Sequence, residues 1–155
     1  MDPDMTLALA KVGAAMVLGL AALGSALGTG TAGLAAVGAW KRCYALEKPV
    51  PFILVTFVGA PLSQTIYGMI LMNTIVRTAT ERAAAGDVGS WPAAIAVGVL
   101  GGAAMGGSAW LQGRVGAAAS DALGETGQGF GNYLMAIGVV ETVALFVLVF
   151  MQAAL

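Results

Sequence analysis

The sequence contains Gly24-Ser-Ala-Leu-Gly-Thr-Gly-Thr-Ala-Gly-Leu-Ala-Ala36 and repeats it as Gly107-Ser-Ala-Trp-Leu-Gln-Gly-Arg-Val-Gly-Ala-Ala-Ala119, with identical residues at 7 of 13 positions. In each half a second segment follows, in which Gln64-Thr65 and Glu141-Thr142 occupy matching places. A repeat of this length indicates that one supersecondary unit has been duplicated.

Charged residues lie in clusters that are separated by long uncharged segments. The chain has 155 residues, of which 59% are apolar and 10% are charged, whereas soluble domains have about 45–50% and about 25%. The uncharged gaps hold 29 residues after Lys11, 28 after Lys48 and 26 after Asp87, and the last 30 residues contain one charge, Glu141. Because a spanning helix needs about 20 apolar residues, each segment is long enough to cross a bilayer.

This pattern predicts an all-α membrane protein in which four transmembrane helices form two duplicated helical hairpins. We expect a single membrane domain over residues 1–155, with the first hairpin (helices 1 and 2) at residues 5–76 and the second (helices 3 and 4) at residues 77–155. A secretory signal at the start is disfavoured, because Asp2 and Asp4 precede an apolar run that is longer than the core of a signal peptide.

Composition excludes several classes of function. The net charge of −1 gives no basis for binding nucleic acid. The chain has no histidine and a single cysteine, so it lacks the commonest general base and cannot build a cysteine metal cluster. Gly28-Thr-Gly-Thr-Ala-Gly33 matches a dinucleotide-binding fingerprint, but it lies in an apolar helix with no strand before it. Close helix packing is therefore the better interpretation of this motif.

Glycine distinguishes two kinds of helix. Helices 1 and 3 are rich in glycine, including the small-xxx-small series Gly98, Gly102 and Gly106, whereas helices 2 and 4 carry large residues such as Phe57 and Phe146. Small residues let helix backbones approach closely in lipid. We therefore expect helices 1 and 3 inside and helices 2 and 4 outside, facing lipid. One chain has only two inner helices, which implies a homo-oligomeric ring of many copies.

Glu141 is the strongest functional candidate, since it lies in the middle of an otherwise uncharged run. A carboxylate at the bilayer centre costs about 2.5–3.5 kcal/mol on insertion scales, so it indicates a functional site unless a neighbouring cation neutralises it. The structural alternative is an ion pair with Arg114 on helix 3. Asp121, seven residues further along the same helical face, is expected to shield that arginine.

Two glutamines are predicted to lie at the depth of this carboxylate. Residues equidistant from the turn of an antiparallel hairpin are level, and the midpoint of Gln112 and Glu141 falls at 126.5, in a glycine-rich turn. In the first hairpin the midpoint of Thr29 and Gln64 falls at 46.5, in a polar stretch. The sequence therefore predicts Gln64, Gln112 and Glu141 near the middle of the membrane.

Helix 2 adds further oxygen atoms. Four of its residues lie on one helical face, at i, i+3, i+4 and i+7: Ala60, Ser63, Gln64 and Tyr67. Pro61 has no N–H, which leaves a main-chain oxygen free in the same turn. Oxygen ligands with a single carboxylate suit a small monovalent cation, because a divalent ion would leave uncompensated charge in the membrane. The alternative is a hydrogen-bond network that only holds the helices together, which accounts for the glutamines but not for the carboxylate.

On these residues the sequence resembles the four-helix proteolipid (the K or c type) of the membrane rotor ring of V-type and A-type rotary ATPases, and most of all the bacterial Na⁺-translocating members. The resemblance covers nearly the whole chain. Three stretches carry it: Ala60-Pro-Leu-Ser-Gln-Thr-Ile-Tyr67, Ser108-Ala-Trp-Leu-Gln-Gly-Arg-Val115 and Val140-Glu-Thr142. It implies a ring subunit with no catalytic site of its own, which couples ion flow to ATP hydrolysis or synthesis.

The resemblance also implies a role for each site residue. Glu141 would be the ion-binding carboxylate, with side-chain oxygens from Gln64 and Gln112. Further contributions would come from the hydroxyl of Ser63, where relatives have threonine, from the backbone carbonyl of Ala60, and from a Tyr67 hydrogen bond that locks Glu141. The neighbouring Thr65, Thr142 and Pro61 are second-tier candidates. Na⁺ is favoured over H⁺, because proton-specific members typically lack one or both glutamines.

The expected partners are identical subunits in a ring, a stator membrane subunit with an arginine facing Glu141, a central-stalk subunit that contacts the loops, and lipid. The resemblance implies a multi-pass protein of a bacterial or archaeal cell membrane, with the 1–2 and 3–4 loops in the cytoplasm. Three alternatives remain: an H⁺-translocating rotor of the same fold, a small multidrug/proton antiporter, and a purely structural proteolipid. An antiporter does not need the duplication, and a structural proteolipid predicts that Glu141→Gln is silent.

Overall fold

The computed structural model describes residues 2–155 and consists of four long helices. They are α1 (Pro3–Ala45), α2 (Phe52–Ala84), α3 (Trp91–Thr126) and α4 (Phe130–Gln152). Each helix is long and apolar enough to cross a membrane, and the part of the chain that is described contains no strand. The predicted all-α class and the four spanning helices are therefore confirmed.

Local sequence sets the ends of these helices. The side chain of Asp2 accepts a hydrogen bond from the amide of Asp4 and caps α1, and Pro3 occupies the first turn, where a missing N–H costs nothing. The α3–α4 turn is short because Gly127 and Gly129 take positive φ angles of 68° and 90°, a conformation that glycine adopts without strain. These two glycines make α3 and α4 antiparallel neighbours.

The helices α1 and α3 pack backbone to backbone. A Cβ atom at Gly24 would overlap the backbone of Gly106, and one at Gly113 would overlap the backbone of Gly28. Only glycine allows this separation, so the repeated segment acts as the contact surface between the two hairpins. At the loop end Arg42 on α1 forms an ion pair of 2.7 Å with Asp121 on α3.

The other two helices pack against one side of this pair. On α2, Gly68 lies against Ala21 of α1, and on α4, Ile137 and Ala144 are buried against the rest of the bundle. The remaining faces of α2 and α4 expose large apolar side chains, such as Ile66 and Phe146. Each chain thus has a glycine-rich layer, α1 with α3, and an apolar layer, α2 with α4.

The helix α2 is interrupted in its first third. Regular α-helix over Val55–Gly59 gives way to a 3₁₀ turn at Ala60–Leu62 and resumes at Ser63–Ala84. The interruption coincides with Pro61, which cannot donate to the carbonyl four residues before it.

The boundary between the two hairpins differs from the prediction. The charge pattern places it between residues 76 and 77, but α2 continues to Ala84, so residues 77–84 are the last turns of the first hairpin. Arg77 and Arg82 end the apolar run in the sequence, and at this end of the helix Arg77 is exposed and Arg82 is partly exposed. A helix extends beyond its apolar segment where charged side chains can reach water.

Candidate ion-binding site

Glu141 lies at the centre of α4, eleven residues from either end of the helix. Its side chain is half-buried between α2 and α3. The hydroxyl of Tyr67 on α2 donates a hydrogen bond of 2.7 Å to Glu141 Oε1, and Nε2 of Gln112 on α3 lies 3.4 Å from Glu141 Oε2. Donors from two other helices thus point at the two carboxylate oxygens.

The two glutamines form the buried part of the site. Gln64 and Gln112 are both completely buried, and Gln64 Nε2 donates a hydrogen bond of 2.8 Å to Gln112 Oε1. Gln112 Nε2 also lies 3.3 Å from the carbonyl oxygen of Ile137 on α4. One chain of hydrogen bonds therefore runs from α2 through α3 to α4.

The interruption in α2 brings further oxygen atoms to this chain. Ser63 Oγ lies 3.0 Å from the carbonyl oxygen of Ala60 and 3.2 Å from Gln64 Oε1. One hydroxyl proton cannot satisfy both acceptors fully, so these oxygens have unused capacity to accept. The 3₁₀ turn places Ala60 beside Ser63, and Pro61 at its centre is buried against α1 near Gly28.

Ser108 is a site residue that the sequence pattern did not single out. Its hydroxyl donates a hydrogen bond of 3.0 Å to the carbonyl oxygen of Val140, the residue before Glu141. Together with Gln112, which approaches the carbonyl of Ile137, it joins α3 to the turn of α4 that carries the carboxylate. The signal was available, because Ser108 belongs to the repeated segment and lies one helical turn before Gln112.

Of the second-tier residues, Thr65 and Thr142 lie away from the carboxylate, as does the arginine. The hydroxyl of Thr142 donates to the carbonyl of Val139 within α4, and Thr65 is half-buried on α2; within residues 2–155 neither forms a hydrogen bond with Glu141. Arg114 is exposed, with its guanidinium 5.9 Å from the ring centre of Trp110. In the described chain it forms no ion pair with Glu141, and Asp121, expected to shield it, pairs with Arg42 instead.

The site therefore combines one carboxylate with neutral oxygen atoms. The neutral oxygen atoms lie between α2 and Glu141. They belong to the amides of Gln64 and Gln112, the hydroxyl of Ser63 and the carbonyl of Ala60. In a low-dielectric interior such neutral dipoles stabilise a cation without adding net negative charge. This arrangement favours a single monovalent cation held beside the carboxylate.

Residues 93–152 match the family model of the ATP synthase C-subunit. The match spans nearly all of α3 and the whole of α4, including Gln112 and Glu141. The second hairpin is similar to the proteins of this family. This similarity supports a proteolipid of the c-subunit family, a membrane component of rotary ATPases with a role in ion translocation and no catalytic site of its own. A comparison with curated proteins gives no match for the chain.

Proposed function

We propose that this protein is the K-type rotor-ring proteolipid of a V-type Na⁺-transporting rotary ATPase. The similarity of the second hairpin to the c-subunit family supports a ring-forming, ion-translocating role. The duplicated chain has two hairpins and one ion-binding carboxylate, Glu141. This ratio of one carboxylate to two hairpins supports the V-type assignment. The ring would consist of identical copies, with the α1–α3 layer inside and the α2–α4 layer towards lipid.

The pair of buried glutamines is the observation that carries the choice of Na⁺. A carboxyl group that binds only a proton needs no further ligand, whereas Na⁺ needs several oxygen atoms at short range. Gln64 and Gln112 are completely buried and hydrogen-bonded to each other at 2.8 Å. Burying two amides in a membrane protein is costly unless their polar atoms form hydrogen bonds or bind an ion. With Ser63 Oγ and the carbonyl of Ala60, they supply the neutral oxygens that complete a site at Glu141.

Charge neutralisation explains how such a site transports an ion. With Na⁺ bound, the carboxylate has no net charge and can pass through lipid as the ring rotates. Without the ion, the bare charge is stable only opposite a positive group, which a stator subunit with an arginine would provide. Entry and exit through two offset half-channels then couple ion flow to rotation, and each charge contributes about 2.3 kcal/mol per 100 mV of membrane potential.

The remaining partners follow from the ends of the bundle. The loop end carries the short turns at residues 46–51 and 127–129, and the charged side chains of Arg42, Asp121 and Glu125 lie beside them. We assign this end to the cytoplasm of a bacterial or archaeal cell and to contact with a central-stalk subunit. ATP hydrolysis or synthesis would take place on other subunits.

Binding of ²²Na⁺ to the purified complex tests this proposal. We expect one exchangeable Na⁺ per copy of the chain, and we expect Glu141→Gln to abolish it while the ring remains assembled. Glu125→Gln, which removes an exposed carboxylate at the loop end, is the matched control and should bind normally. Saturable H⁺ transport without any Na⁺ binding would assign the chain to a proton rotor instead, and full transport by the Glu141→Gln complex would leave a structural proteolipid.

A further inference from the structure

The serine and threonine hydroxyls on these helices mostly bond to a carbonyl of their own helix. Ser108 differs, because its hydroxyl on α3 donates to the carbonyl oxygen of Val140 on α4, at 3.0 Å. Within residues 2–155 it is the one serine or threonine hydroxyl that donates to the main chain of a different helix. The hydroxyls that bond within their own helix include Thr31, Thr74, Thr80, Ser120 and Thr126.

Ser108 also has an acceptor available within α3. A serine in a helix can donate to the carbonyl four residues before it, as Ser120 does to Gly116 at 2.8 Å on the same helix. For Ser108 that carbonyl belongs to Ala104. The two bonds are of the same chemical kind, so exchanging one for the other leaves the buried hydroxyl paired. The bond to Val140 is therefore easily reversed.

This bond ends on the helix that the rest of the bundle holds least. In its most apolar stretch 17% of the residues of α4 are buried, compared with 50% in α3. Tyr67 and Gln112 also reach α4, but they bond to the carboxylate of Glu141, and an ion bound there would change those bonds. The hydroxyl of Ser108 bonds to the main chain, so it holds the turn of Glu141 whether the carboxylate binds an ion or not.

The repeat offers a comparison within the same chain. Ser25 takes the place of Ser108 in the first hairpin and is also buried, but its hydroxyl has no hydrogen-bond partner in the described part of the chain. The second helix of that hairpin carries Gln64 where the other hairpin carries Glu141. Both hairpins keep the serine, and the bond between helices is found in the hairpin that carries the carboxylate.

We propose that Ser108 is a positioning residue that latches the carboxylate-bearing turn of α4 onto α3. While its hydroxyl bonds to Val140, Glu141 is held towards its hydrogen-bond partners inside the bundle. When the hydroxyl turns to the carbonyl of Ala104, the turn is released, and Glu141 moves towards the exposed face of α4, where an ion enters and leaves. The inference rests on the proposed role of Glu141 as the ion-binding carboxylate, and it holds for Na⁺ and for H⁺ alike.

The exchange of ²²Na⁺ distinguishes a latch from a ligand. Losing a ligand weakens binding, whereas losing a latch increases the population of the released arrangement both with and without the ion. In Ser108→Ala we therefore expect the association rate and the dissociation rate of Na⁺ each to rise about five-fold, while the Kd stays within about two-fold of the wild-type value.

Ser120→Ala is the matched control, since it removes a buried hydroxyl of α3 that bonds within its own helix. This variant should exchange Na⁺ at the wild-type rates. A raised Kd with an unchanged association rate in Ser108→Ala would overturn the latch, and so would wild-type rates in that variant.

Carbodiimide labelling of Glu141 in the purified ring tests the latch in the absence of Na⁺. At fixed pH we expect labelling to be about five-fold faster in Ser108→Ala than in the wild type, because the released carboxyl group meets the reagent more often. Ser108→Cys, whose thiol is a weak donor, should react at an intermediate rate, and it decides the question if Ser108→Ala does not assemble. Ser120→Ala should react as the wild type does, and equal rates in all of these chains would overturn the proposal.

Failure of the latch and failure of the proposed function give different results. A wild-type complex that binds no Na⁺ would contradict the sodium rotor, and the labelling rates would still decide for or against the latch. Na⁺ binding that requires Glu141 but has the same rates in the wild type and Ser108→Ala would keep the rotor and overturn the latch.

Discussion

The two hairpins place matching residues at matching positions and give them different partners. Ser25 and Ser108 occupy the same place in the repeat, but Ser108 Oγ donates to the carbonyl of Val140, whereas the buried Ser25 Oγ has no hydrogen-bond partner within residues 2–155. Gln64 of the first hairpin corresponds to Glu141 of the second. Packing has been kept in both hairpins, while the polar groups have diverged.

This divergence separates the carboxylate from most of its proposed ligands, of which Gln112 alone lies in the same hairpin. The second hairpin supplies the carboxylate on a continuous helix, and the first supplies a neutral amide, a hydroxyl and a tyrosine from a helix interrupted at Pro61. A carboxylate at both positions would place two like charges close together in a low-dielectric interior, which is unfavourable. Duplication would thus allow the first hairpin to supply most of the proposed ligands for the carboxylate of the second.

Exchanging the carboxylate and the amide between the hairpins should have the largest effect. In the double variant Gln64→Glu, Glu141→Gln the charge moves to a completely buried position, while the Tyr67 hydroxyl still points at residue 141. A buried charge without its partners costs about 3–5 kcal/mol, so we expect ATP-driven ²²Na⁺ uptake to fall at least about 100-fold. Uptake above about a tenth of the wild-type rate would show that the two hairpins are interchangeable.

Removing one glutamine should weaken Na⁺ binding without abolishing it. A hydrogen bond to a charged group contributes about 1.5–3 kcal/mol, so Gln112→Ala should raise the Kd for Na⁺ about ten- to hundred-fold. Its counterpart in the first hairpin is Thr29, whose hydroxyl has no hydrogen-bond partner in the described chain. Thr29→Ala is therefore the matched control, and an equal loss of ²²Na⁺ affinity in both variants would deny the glutamine a role as a ligand.

Tyr67→Phe should release the bound ion faster. The variant keeps the ring but loses the 2.7 Å hydrogen bond to Glu141, so we expect the Na⁺ dissociation rate to rise about ten-fold. Tyr44→Phe, on an exposed tyrosine at the loop end, serves as the control. Stopped-flow exchange of ²²Na⁺ for unlabelled Na⁺ measures both, and identical rates in the wild type and Tyr67→Phe would exclude the locking role.

The two serines of the repeat should differ by a small amount. Ser108→Ala removes a hydrogen bond worth about 1 kcal/mol and is expected to lower the Tm of the protein by about 2–4 °C. Ser25→Ala removes a buried hydroxyl that has no partner in the described residues, so it should leave the Tm unchanged or raise it. The reverse order, measured by calorimetry, would show that the structure assigns the wrong partner to one of the serines.

Much of the architecture could be predicted because the membrane imposes it. The spacing of charges fixed the four spanning segments, and the symmetry of a hairpin about its turn placed Gln112 level with Glu141, which the structure brings within 3.4 Å. The glycine pattern likewise indicated the contact of α1 with α3. These features depend on periodicity and length, which are visible in a single sequence.

Other features depend on how each helix is rotated about its axis and on which side chains become partners. The length of an apolar segment determines neither. The hydrogen bond from Ser108 to the carbonyl of Val140 requires a particular rotation of α4 about its axis. The sequence suggested Arg114 as the partner of Asp121, because both lie on one face of α3. The close contact of α1 with α3 instead brings Arg42 to Asp121, and these two form the ion pair. The end of α2 at Ala84 was not predicted. An apolar run shows which part of a helix lies in the membrane, and it does not show where the helix itself ends.

Labelling of Glu141 by a carbodiimide in the purified ring tests the central claim most directly, since these reagents react with a protonated carboxyl group in an apolar site. At fixed pH we expect Na⁺ to slow the labelling of Glu141 and an equal concentration of K⁺ to leave it unchanged, because Na⁺ held by Gln64 and Gln112 displaces the proton. Labelling that changes with pH and is indifferent to Na⁺ would contradict the sodium assignment and leave the glutamines with a packing role alone.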